Sequence, residues 1–95
     1  MSLPPIDTDY LLQFLTDLLN TPSPTGFAHQ AIARVKQALS GFPGLQVTHT
    51  RKGALVATWA GKASGSPRAL TAHVDTLGAM VKEIKSSGRL KLTKI

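Results

Sequence analysis

Ninety-five residues suffice for one small domain at most, and the absence of cysteine excludes disulfide staples, thiolate metal centres and cysteine nucleophiles together. The net charge of +6 is uneven: residues 51–95 hold nine basic and two acidic side chains, whereas residues 1–50 hold two basic and three acidic ones. A basic surface invites nucleic acid, but no aromatic stacking platform lies among these lysines, which suit the guarding of strand edges instead.

The apolar runs fall far short of the roughly 20 residues a membrane helix needs. The opening "MSLPPIDTD" places prolines and aspartates where a signal peptide would be basic and then apolar. A soluble cytoplasmic protein is the expectation. Residues 8–19, "TDYLLQFLTDLL", set Leu11, Leu12, Leu15, Leu18 and Leu19 on one face at helical spacing, with Asp7 or Thr8 as the N-cap. "NTPSPTG" ends that helix. Residues 27–40, "FAHQAIARVKQALS", repeat the pattern with Ala28, Ala31, Ile32, Val35, Ala38 and Leu39 facing inward, and Gly41 with Pro43 supplies the stop.

After Pro43 the periodicity changes. "LQVTHT" alternates apolar and polar positions, "RKG" is turn-like, and "ALVATWAG" completes a hairpin. "KASGSPR" is a polar loop, and "ALTAH", residues 69–73, reads as a short interior strand of small and apolar residues that ends on His73. Beyond Gly78, "AMVKEIK", "SSG" and "RLKLTKI" form a second, lysine-rich hairpin, so a boundary is expected near residues 77 and 78. The fold class is α/β, and two helices with about four strands barely begin to cover both faces of such a sheet. The expectation is the front portion of something longer.

In open α/β sheets ligands collect beyond the carboxyl ends of strands, which is where His73 and Asp75 fall. Neutral imidazole is a good ligand for zinc or cobalt, and a ligating histidine usually donates its other ring N–H to a carboxylate. Asp75, two residues on, can take that role, and Gly78 lets the backbone turn away close by. The spacing does not identify a metal site by itself, because a His-x-acid triplet arises by chance in about one chain of this composition in six. His29 reads as an exposed helical residue and His49 as a strand residue, neither with a metal role.

"TPSPTG" after a first helix, an amphipathic second helix, then "AHVDTLGAMVKEI" and "GRLKL" in that order resemble the start of the dinuclear metallo-aminopeptidases of the glutamyl-aminopeptidase and deblocking-aminopeptidase type. The resemblance covers nearly the whole chain and is most specific from Ala72 to Ile84. It implies a zinc-exopeptidase-like α/β/α catalytic domain over residues 1–77 and the first hairpin of an inserted β-barrel-like domain over residues 78–95. It also implies a metal ligand at His73, a carboxylate at Asp75 that orients it, and two divalent ions, zinc or cobalt, in the complete enzyme. The implied partners are a peptide substrate, the remainder of the same protein and further copies in a homo-oligomer; composition adds that no membrane is expected and that nucleic acid is a poor fit.

The bridging aspartate, catalytic glutamate and remaining ligands of that family fall downstream of residue 95, so the segment alone is expected to be inactive. Catalytic zinc needs at least three protein ligands, and the other acids here are Asp7, Asp9, Asp17 and Glu83. Two positions depart from the pattern, since many relatives have glycine at Ala72 and glutamate at Thr76. "AHVDT" is closer to the related acylase, dipeptidase and carboxypeptidase enzymes, but their usual proline soon afterwards is absent here, where Leu77 and Gly78 follow. The third alternative is a non-enzymatic module that binds a partner through the basic hairpin. It separates from the others structurally, because a self-contained module should bury "ALTAH" and the inner helix faces.

Overall fold

A computed structural model describes residues 1–95, and each secondary-structure element begins where local chemistry favours it. Helix α1 spans Thr8–Leu19. Asp7 caps it, its carboxylate accepting the Tyr10 N–H at 3.0 Å, and Asp9 in the first turn complements the positive end of the helix dipole. Helix α2 spans His29–Leu39 and has no side-chain cap; it grows directly out of the preceding turn, its first carbonyl acceptor being Ala28.

Strands β1 (Leu45–His49) and β2 (Leu55–Trp59) form an antiparallel hairpin in which Leu45 faces Trp59, Val47 faces Ala57 and His49 faces Leu55. Strands β3 (Ala79–Ile84) and β4 (Leu90–Lys94) form a second, with a register shift between Val81 and Glu83 and an opposite-charge pairing of Glu83 with Lys91. The two hairpins are separate two-stranded sheets. The architecture is α/β, with two helices and antiparallel strands.

Residues 69–73 do not form the expected strand. A strand needs a partner, and none of these residues joins either ladder; Leu70 is fully exposed. The first pairing occurs further on, as an isolated parallel bridge between Pro24 and Thr76.

The helix faces differ in outcome. On α2, Ala31 is buried and Ile32, Val35, Ala38 and Leu39 are half-buried, as their spacing predicts. On α1 the expected inward leucines Leu11, Leu12, Leu15 and Leu19 stay exposed, and of that set only Leu18 is partly covered. Arg34 decides this. Its guanidinium lies 3.0 Å from Asp17 Oδ2 and 5.4 Å from the Phe14 ring centroid, so α2 meets α1 along Phe14 and Asp17 and leaves the leucine stripe on the far side.

Across the chain only Ala31 and Ser23 are buried. The accessible surface is 8809 Å², against about 5,300 Å² for a compact monomer of this mass. The radius of gyration is 18.3 Å, against about 12 Å for a compact chain of this length. With so little apolar surface removed from water, residues 1–95 alone should unfold without a cooperative heat-capacity peak. The calorimetric enthalpy should fall far below the roughly 65 kcal/mol usual for this length. A sharp transition near that value would mean that this arrangement is not the one the isolated chain adopts.

Candidate functional site

The segment Ser23-Pro24-Thr25, at the entry to α2, lies alongside Val74-Asp75-Thr76. Ser23 fixes the register twice: its hydroxyl donates to the Val74 carbonyl at 2.8 Å, and its own carbonyl accepts the Thr76 N–H at 2.8 Å. The hydroxyl and the carbonyl of this buried residue are thereby satisfied. The neighbouring turn is set by Gly26, whose φ of +87° is the value that the third position of a type II turn requires, and it is closed by the Phe27 N–H to the Pro24 carbonyl at 2.8 Å.

This pairing presents Asp75 between two donors. The Thr25 hydroxyl donates to Oδ2 at 2.8 Å, and His73 Nδ1 lies 2.8 Å from Oδ1 and 3.2 Å from the Asp75 carbonyl. Both contacts favour the ionised carboxylate; the Thr25 hydroxyl first and His73 second hold its pKa below the ordinary 3.8. A proton on Nδ1, donated to Asp75, leaves Nε2 of the neutral ring as an unshared electron pair. The imidazole is 84% exposed, so that pair is available to a cation approaching from outside.

Gly78 closes the far end of the segment. A Cβ there would stand 2.6 Å from Pro24 Cβ, a separation that carbon atoms do not tolerate. The glycine expected to let the chain turn therefore also makes room for the "TPSPTG" turn at Pro24.

Of the sequence-predicted residues, His73 and Asp75 are brought together, and His29 and His49 are not joined to them. His29 stands at the start of α2 with its ring edge-on to Phe27 at 4.5 Å, and His49 ends β1. Both line a cleft of about 470 Å³ with Ile32, Lys36 and Lys52, a lining that includes neither His73 nor Asp75. That cleft lacks the acid–imidazole contact that gives His73 its chemical polarity. No group of three or more histidine, cysteine, aspartate or glutamate side chains gathers anywhere in the chain. Sequence reasoning missed Ser23 and Thr25. The signal lay in two hydroxyl residues flanking Pro24 before a glycine, a turn whose side chains have no helix to serve.

A family described as M42 glutamyl aminopeptidase matches residues 53–95. The "Putative aminopeptidase YhfE" of Bacillus subtilis (strain 168) is 43% identical over 84 residues, which make up 88% of this chain and 24% of that protein. The chain thus spans about a quarter of the length of that relative.

The geometry makes a prediction in pH. Because the folded pKa of Asp75 is depressed, its contacts stabilise the pairing fully above the ordinary carboxylate value and are lost as pH falls through the lowered folded value. Carboxyl-carbon NMR titration of the metal-free protein should place the Asp75 midpoint below 3.8. A midpoint at or above that value would show that Thr25 and His73 do not hold the carboxylate.

Proposed function

The chain belongs to the M42 glutamyl aminopeptidase family, and from that premise we propose that it forms the front part of a metal-dependent aminopeptidase, to which it supplies one metal ligand, His73, and the carboxylate that orients it, Asp75. The observation that carries this reading is the 2.8 Å contact of His73 Nδ1 with Asp75 Oδ1, which turns Nε2 outward. The donor set fits one imidazole ligand with a carboxylate behind it, the arrangement usual at zinc sites. The other ligands come from elsewhere in the complete protein.

Two divalent ions, zinc or cobalt, supply Lewis-acid polarisation and an activated water to such a site when bound. The residues of this chain do the positioning. Asp75 holds the proton at Nδ1 and so leaves Nε2 free to ligate; Ser23 fixes the backbone on either side of Asp75; Gly78 carries the chain away past Pro24. The substrate on this reading is a peptide that loses its N-terminal residue, and the segment is inactive alone because one histidine cannot hold two ions.

Residues 1–77 would then belong to the catalytic domain and residues 78–95 to the opening hairpin of an inserted β domain, through which copies assemble. The absence of cysteine suits a reducing cytoplasm. The family match runs through "AHVDT", which favours this reading over the acylase and carboxypeptidase alternative. The self-contained binding module is disfavoured by the uncovered "ALTAH" segment and leucine stripe.

The test uses the full-length protein, with metal content measured after dialysis and hydrolysis of aminoacyl anilides assayed with added zinc or cobalt. His73→Ala should lose most metal-dependent turnover, and Asp75→Asn should lower metal affinity or rate by roughly 10- to 100-fold. Normal metal content and turnover in His73→Ala would overturn the assignment.

A further inference from the structure

We infer that Thr25 is a positioning residue for the metal-binding imidazole, acting through Asp75; the inference rests on the reading of His73 as a ligand. A carboxylate with a single partner is free to rotate and exchange its two oxygens. Asp75 is open to solvent on one side, its side chain being 41% exposed, so packing does not prevent that rotation. The Thr25 hydroxyl does. By donating to Oδ2 at 2.8 Å it occupies one oxygen and leaves Oδ1 for the Nδ1–H of His73.

Three features make this contact a built one. Thr25 sits at the second position of a turn whose third residue, Gly26, has a positive φ, and the turn is closed by a backbone hydrogen bond, so its Cα is fixed. The facing segment is held by Ser23 on both sides of Asp75, at the Val74 carbonyl and the Thr76 N–H. The backbone pairing does not use the Thr25 side chain, whose one hydrogen bond is to the carboxylate. Thr25 makes no hydrogen bond to the ring. Its role is to keep the carboxylate turned so that the imidazole stays in one tautomer and one orientation.

The experiment measures zinc affinity of the full-length protein by competition with a chromogenic chelator, together with kcat and KM on an aminoacyl anilide. Thr25→Val removes the hydroxyl and keeps the shape; Thr25→Ser keeps the hydroxyl. Loss of one such hydrogen bond should weaken zinc binding by roughly 3- to 10-fold in Thr25→Val, with KM unchanged once excess zinc restores loading. Thr25→Ser should lie within about twofold of the parent. In an Asp75→Asn background the Thr25→Val change should have little further effect, because its action passes through that carboxylate. Parental affinity in Thr25→Val, an equal loss in Thr25→Ser, or a full further loss on top of Asp75→Asn would each overturn the inference while leaving His73 a ligand. Undiminished zinc affinity in His73→Ala would remove the ligand itself, and the inference with it.

Discussion

The structure depends on the pairing of residues 23–25 with residues 74–76. It supplies every hydrogen bond joining the first sixty residues to the last thirty-five: the Ser23 hydroxyl to Val74, the Thr76 N–H to Ser23, and the Thr25 hydroxyl to Asp75. In most domains long-range order of this kind rests on a hydrophobic core. Here the core is one alanine, and the second buried residue is the serine of the pairing itself. Each such bond contributes only about 1 kcal/mol net, so the arrangement relies on all three being made together with the close seat of Gly78 against Pro24.

The uncovered surfaces follow from the same fact. Leu11, Leu12, Leu15 and Leu19 form an apolar stripe on α1, and Leu70, Leu77, Met80, Ile84 and Leu92 add exposed apolar area along the C-terminal half. A soluble protein rarely leaves so much of its apolar surface bare, and where it does the surface marks a contact. The 43% identical relative is about four times as long as the matched segment, and these faces are what a larger α/β body would cover. On that view the polar pairing sets the relative position of a helix entry and an imidazole independently of the apolar faces.

Elements governed by neighbours in sequence were legible, and elements governed by distant partners were not. The start of α1 could be read because Asp7 lies three residues from the amide it caps, and both hairpins because alternation and turn residues are local signals. "ALTAH" failed as a strand because its composition states only that it is apolar, whereas strand formation requires a neighbour that these 95 residues do not provide. The leucine stripe reads as inward-facing because periodicity identifies a face without naming what meets it. Arg34, an ordinary helical arginine in the sequence, meets α1 at Phe14 and Asp17, off that stripe. His73 and Asp75 were visible as a two-residue spacing. Thr25 was not, because its partner lies fifty positions away and no periodicity spans that distance.

That separation has a consequence for how the sequence can change in length. The pairing closes a large loop containing α2, the first hairpin and the polar "KASGSPR" stretch, and the entropy of closing such a loop grows only slowly as residues are added. Insertions within residues 60–68, which run through solvent outside any ladder, should therefore be accommodated with little disturbance to the imidazole. Between His73 and Gly78 the opposite holds. One added residue there shifts either the carboxylate or the glycine out of register with the turn, so evolutionary drift in length has a wide corridor on one side of His73 and almost none on the other.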